Sequence, residues 1–166
     1  MARTVLVTYG TKYGATADIA RSIGDALRGH DCTVEVRPAD EVRDLGTYNA
    51  VILGGALYAG RWHRDARRFA RRHGKALERV PVWLFSSGPL DDSAPGRPPT
   101  AQVRRLIRRL DARGHRTFGG RLDDTARGRM ARMIVDSGKG GDFRDTSAIT
   151  SWAQDIAREL PQDTKS

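Results

Sequence analysis

Residues 5–16, Val-Leu-Val-Thr-Tyr-Gly-Thr-Lys-Tyr-Gly-Ala-Thr, constrain this chain more than any other stretch. An apolar, β-branched run stops at a loop dense in glycine and threonine, and an amphipathic pattern begins directly after it. A strand that passes through such a loop into a helix start makes an anion site. Free backbone N–H groups and the positive end of the helix dipole converge there. Thr8, Thr11 and Thr16 add hydroxyl donors and Lys12 adds a charge. The loop lacks the Gly-Lys-Ser/Thr ending of a nucleotide P-loop and the glycine spacing of a dinucleotide fingerprint. Hydroxyls suit a terminal phosphate monoester better than a bridging pyrophosphate. The alternative for the loop alone is an ordinary turn whose threonines cap the helix.

The rest of the chain alternates strand and helix patterns. Strands are expected at 3–9, 32–37, 49–53, 81–85 and 115–122, each short and apolar. Helices are expected over 15–28, 62–79, 101–113 and 146–160, and a short one over Ala126–Val135. Residues 40–44 read as an acidic turn, 91–100 as a Pro/Gly/Ser loop and 137–142 as a glycine-rich loop. Five strands alternating with amphipathic helices imply an α/β fold, a doubly wound five-stranded parallel sheet with helices on both faces. Right-handed crossovers favour the order 2-1-3-4-5, with the switch point between strands 1 and 3. A chain of 166 residues fits one domain, taken as 1–161 with a polar tail at 162–166.

Cys32 is the only cysteine, so no internal disulfide forms; it reads as a small buried residue in a reducing compartment. No Cys/His cluster has metal-ligand spacing, and no metal is expected. No apolar run reaches membrane-spanning length and no signal-peptide core is present, which makes the cytoplasm the expected compartment. The net charge is +9, nearly all of it arginine, since only Lys12, Lys75, Lys139 and Lys165 are lysines. Such a charge attracts anionic partners, or it simply coats solvated helix faces.

Three loops converge at one edge of this sheet. Strand 1 ends in the hydroxyl-rich loop. Strand 3 ends in Gly54-Gly55-Ala56-Leu57-Tyr58-Ala59-Gly60-Arg61-Trp62, and strand 4 in Ser86-Ser87-Gly88. The second loop offers glycines for close backbone approach and aromatics for stacking. The third offers a small polar turn with free N–H groups. A ligand with a phosphate at one end and a planar ring at the other fits, and FMN is such a ligand. Thr11, Lys12, Tyr13, Gly14, Ala15 and Thr16 would hold the phosphate. Ala56, Leu57, Tyr58, Gly60 and Trp62 would line one side of the ring, and Ser86, Ser87 and Gly88 would bound the other. Trp62 also lies on the apolar stripe of its helix, which is the pattern of a core residue. Asp91 and Asp92 would influence a flavin's potential, or serve as solvated turn residues.

The chain resembles flavodoxin-fold proteins, and within them the menaquinone-dependent protoporphyrinogen dehydrogenase branch. Thr11-Lys-Tyr-Gly-Ala-Thr16 is similar to the flavodoxin T-x-x-G-x-T pattern. Residues 44–55, Asp-Leu-Gly-Thr-Tyr-Asn-Ala-Val-Ile-Leu-Gly-Gly, resemble the family's D-L-x-x-Y-D-A-V-x-L-G stretch. Residues 56–63 are similar to the branch's segment before its third helix, and 141–152 to its T-D-T-R…Y-T-D-W segment. Residues 121–139 keep arginines and methionines but have no aromatic residue, where the branch carries a basic, aromatic-rich insert.

The resemblance implies an FMN oxidoreductase in which the flavin carries the chemistry and no protein side chain acts as a catalytic acid, base or nucleophile. A quinone or a redox partner protein is the expected electron partner. The arginines of 121–132 would rest on an anionic membrane at its inner face. Two other functions fit the residues: a basic electron carrier with no substrate of its own, and a nucleic-acid-binding module. The second lacks a nucleic-acid motif, and no stacking set is interleaved with the eight basic positions at 61–79.

Overall fold

Val5 and Val7 face one side of β1 (Arg3–Gly10) and Leu6 faces the other, and all three are fully buried. A strand with apolar residues on both faces must lie inside a sheet covered on both sides. The computed structural model describes residues 3–11, 14–46, 48–88, 98–119 and 146–160. β1 is followed by α1 (Ala15–Arg28), β2 (Cys32–Pro38) and a 3-10 turn at Ala39–Glu41. Then come β3 (Ala50–Tyr58), β4 (Arg61–Trp62), α2 (Arg64–Arg72), α3 (Gly74–Leu77), β5 (Val82–Ser87), α4 (Ala101–Leu110), β6 (Gly114–Phe118) and a last described helix, here α5 (Thr146–Glu159).

The sheet order is β2-β1-β3-β5-β6, all parallel, with β4 turned back antiparallel on β3. With that short arm set aside, this is the expected 2-1-3-4-5 order. Ile19, Ile23 and Leu27 of α1 and Trp152 and Ile156 of α5 pack with Val5 and Val7 on one face. Phe69 and Ala70 of α2 and Val103, Leu106 and Leu110 of α4 pack with Leu6, Leu53 and Leu84 on the other. The switch point between β1 and β3 is thereby placed at the edge where Gly10, Tyr58 and Ser87 end their strands.

Three expected elements are corrected. The third strand does not end at Leu53; it continues through Gly54 and Gly55 to Tyr58, paired with β5 as far as Ala56 opposite Ser87. The glycines are there for close packing. A Cβ on Gly54 would fall on the Phe85 ring, and one on Gly55 on the Trp62 indole. The helix expected over 62–79 begins at Arg64, because Trp62 pairs with Leu57 in the β4 arm. It then breaks at His73, whose backbone leaves helical geometry and whose ring packs on Phe69 at 4.6 Å. The fourth helix stops at Leu110 rather than Arg113, ended by Asp111 in the left-handed conformation (φ 53°). The expected helix over 126–135, the loop over 137–142, most of the 91–100 loop and the 162–166 tail lie outside the described residues. No helix among the described residues is long and apolar enough to cross a membrane.

Candidate functional site

The β1–α1 connection is built around Gly14, the N-cap of α1. It sits at φ 89°, a left-handed geometry natural only to glycine. No side chain caps this helix start. That weighs against the plain capping role for the threonines and leaves the first-turn N–H groups for another acceptor. Thr16, in that first turn, is fully buried and its hydroxyl has no hydrogen-bond partner among the described residues. A buried hydroxyl without a partner is costly and calls for one. An anion at the helix N-terminus would supply that partner. Thr11 and Ala15 are half-buried beside it, and Lys12 and Tyr13 lie outside the described residues. Thr8 is also buried, its hydroxyl unpartnered among the described residues, but it sits inside β1 opposite Leu53, on the strand face shared with Leu6.

The β3–β4 connection is a two-residue hairpin. Ala59 (φ 52°) and Gly60 (φ 79°) are both left-handed, the primed-turn geometry that suits the twist of paired strands. An alanine in this conformation is strained, and here it stands at the site rim. The hairpin holds Ala56 buried, Leu57 half-buried and Tyr58 exposed at its tip, with the Tyr58 ring edge-on to His63. His63 in turn starts α2, its Nδ1 accepting the Asp65 N–H at 3.1 Å.

Trp62 stands in the core, 1% exposed, with no ring face left for a ligand at the surface. Its indole N–H donates to Ser86 Oγ at 2.9 Å, and its backbone N–H to Gln102 Oε1 at 3.0 Å. Ser86 Oγ also lies 2.9 Å from His115 Nε2. Trp62, Ser86 and His115 therefore form a polar chain linking β4, β5 and β6, buried at Trp62 and Ser86 and half-buried at His115. Burial, helped by neighbouring Arg116, pushes the His115 imidazole down to about 4. The ring is neutral at ordinary pH, and Ser86 uses its proton or its remaining lone pair on it. Ser87 is buried on the opposite face of β5, with Phe85. Gly88, at φ 118°, is not the free donor expected of that turn; its N–H donates to the Phe118 carbonyl at 2.9 Å.

A cavity of about 200 Å³ opens between the hairpin and α4, bounded by Leu57, Ala59, Gly60, Ser86, Thr100 and Thr117. Among the described residues, no charged side chain lines it. His115 and Gln102 were not legible as site residues. Their roles depend on contacts 29 and 40 positions away, which no local pattern encodes. Among the described residues, no group of three or more His, Cys, Asp or Glu could hold a metal.

The phosphate end thus fits a terminal phosphate on its own evidence, the uncapped glycine start and the orphaned Thr16 hydroxyl. Ala56, Leu57, Tyr58 and Gly60 gather on the hairpin, and Ser86 and Ser87 end the adjacent strand. No curated protein matches the chain. Among solved structures, a flavodoxin from the domain Archaea is 14% identical, with 95% of this chain and 98% of that one covered and a TM-score of 0.67. The rubredoxin oxygen:oxidoreductase of Desulfovibrio gigas is 14% identical at a TM-score of 0.66, with 95% of this chain covered. This chain spans only 36% of that protein's length. A flavodoxin variant of Fusobacterium nucleatum bound to flavin mononucleotide is 14% identical at a TM-score of 0.57, with 97% and 99% of the two chains covered. These likenesses are to the fold. The flavodoxin domain family model matches residues 6–142, from the interior of β1 past the end of β6. The chain belongs to the flavodoxin domain family, and its cofactor is FMN.

Proposed function

We propose that this protein is an FMN-dependent oxidoreductase, of the protoporphyrinogen dehydrogenase kind, passing electrons from an organic substrate to a quinone or similar acceptor. The observation that carries an enzyme rather than a pure carrier is the cavity beside the hairpin, whose described lining holds no charged side chain. It is large enough for part of a second molecule next to the ring and is lined by three hydroxyl side chains, Ser86, Thr100 and Thr117. Bound FMN supplies the redox chemistry. This chain's residues supply position: the α1 N-terminus with Thr16 for the phosphate, and the hairpin from Ala56 to Gly60 for the ring.

Five measurements test this. The purified protein should be yellow and release FMN on denaturation; a colourless protein that cannot be reconstituted would remove the reading. Thr16→Ala should raise the Kd for FMN about tenfold, the loss of one hydrogen bond to a charged group. Tyr58→Ala should shift the flavin absorbance bands with a smaller change in affinity. Steady oxidation of protoporphyrinogen with menadione as acceptor would support the substrate assignment. Absence of flavin reduction by any porphyrinogen, in a protein that holds FMN, would overturn it. Rapid reduction by a reductase with no substrate turned over would identify a carrier instead.

A further inference from the structure

The positive charge of this protein is segregated. Residues 61–79 carry eight arginines and lysines against Asp65 and Glu78, and 101–113 carry five arginines against Asp111. The fold puts both segments on one face, because α2, α3 and α4 cover the same side of the sheet. The opposite face is balanced. α1 sets Asp18 and Asp25 against Arg21 and Arg28, and α5 sets Asp155 and Glu159 against Arg158.

Pairing differs in the same way. On the balanced face each helical arginine has a carboxylate three residues earlier: Arg21 with Asp18 at 2.5 Å, Arg28 with Asp25 at 2.9 Å, Arg158 with Asp155 at 2.7 Å. On the basic face, Arg64 reaches Asp65 only at 3.8 Å, and among the described residues the arginines of α4 make no ion pair. A compositional habit would scatter arginines over both faces alike. Among the described residues, one face pairs its helical arginines with carboxylates, while on the other Arg67 and Arg104 donate only to backbone carbonyls, of Trp62 and Pro99.

We infer that the α2–α4 face docks a protein partner whose contact surface is rich in carboxylates. Arginine suits this use, since its planar fork binds carboxylates in pairs and is weakly hydrated. The face begins beside the site, with Arg61 opposite Tyr58 in the hairpin, so a docked protein lies near the flavin. A second copy of the chain is excluded as occupant by like charge. A lipid surface fits less well. Tyr58, at the site rim, is the only exposed large apolar side chain among the described residues, and helices that rest on membranes bury an apolar face. A nucleic acid fits less well too. Asp65, Glu78 and Asp111 are dispersed among the arginines, and Asp40, Glu41 and Asp44 border α2 on the β2 side. A uniform polyanion is repelled by such carboxylates, whereas a protein surface complements them one by one.

The inference goes beyond the redox reading and is tested without it. Calorimetric titration of the full chain, with or without FMN, uses an acidic plant-type ferredoxin as the probe. Arg71→Glu with Arg105→Glu changes the basic face; Arg21→Glu with Arg158→Glu makes the same change in net charge on the balanced face. Circular dichroism checks that both variants fold. The expected result is binding that weakens steeply between 50 mM and 500 mM salt, tenfold or more weaker in the first variant, and changed less than threefold in the second. Equal loss in both variants would mean only net charge acts, and would overturn the docking face. So would absence of ferredoxin binding at 50 mM salt. Loss of binding to vesicles of one-third phosphatidylglycerol, or to a duplex DNA, in the first variant while its ferredoxin titration stayed unchanged would overturn the partner class.

Discussion

Gly54→Ala and Gly55→Ala are each expected to lower the unfolding free energy by about 3 kcal/mol, the upper end of what one added methyl costs a packed core. The reason is the two rings that lie over the strand. The Gly54 Cβ position is occupied by the Phe85 ring and the Gly55 position by the Trp62 indole. Phe85 is fully buried and Trp62 1% exposed, so neither ring has room to move. Displacing Trp62 also pulls its N–H from Ser86 and breaks the chain to His115. The matched control is Gly74→Ala, where an added methyl meets nothing within 4 Å. Gly74 opens a helix, so its replacement should be neutral or stabilise by up to about 1 kcal/mol. Urea denaturation of the three variants measures this. If ring contact is the cause, shrinking the ring should relieve it. Phe85→Leu combined with Gly54→Ala should be less destabilised than the sum of the two single changes. Strict additivity would show that Gly54 is constrained by something other than Phe85.

Those glycines also mark where the sequence was readable and where it was not. The α1 range was legible to the residue, because its apolar period and its Gly14 start are local signals. The strand order followed from alternation alone, since five short apolar strands joined by amphipathic helices leave few right-handed arrangements. Gly54-Gly55 looked like a turn because paired glycines commonly are turns. What fixes them inside a strand is a phenylalanine 31 positions away and a tryptophan that folds back on the hairpin. Trp62 kept the helix spacing of a core residue and is a core residue, but it reaches the core from β4 rather than from α2. The anion end of the site could be read because a helix N-terminus organises it locally. The Trp62–Ser86–His115 chain could not, because it joins three strands through side chains alone.

That chain makes stability pH-dependent in a defined window. Unfolded, the His115 imidazole takes up a proton below about pH 6.5; folded, it does so only near pH 4. Between those values the unfolded state binds the extra proton, so acidification favours unfolding and stability rises with pH from 4 to 6.5. The full shift corresponds to about 3 kcal/mol. His73 adds in the same direction, its imidazole held low by burial and then by Arg72. Protonating His115 is costly for a structural reason as well. In the tautomer whose Nε2 accepts the Ser86 proton, the charged ring would instead have to donate to Ser86 Oγ, which already accepts from the Trp62 indole, and the serine proton would lose that partner. His115→Gln keeps a polar group beside Ser86 and removes the titration. Its stability at pH 7 should fall by about 1–2 kcal/mol, the cost of an imperfect replacement hydrogen bond. Its dependence on pH between 4.5 and 6.5 should flatten, leaving the contribution of His73. Urea midpoints across that window compare the two proteins. The carboxylates separate themselves: Glu35, held low by its hydrogen bonds from Arg37 and Tyr48, loses its contribution only as pH falls through the carboxylate range below this window. Parallel slopes for the parent and His115→Gln would show that the imidazole titrates freely, and that the bond between β5 and β6 places the ring without holding it neutral.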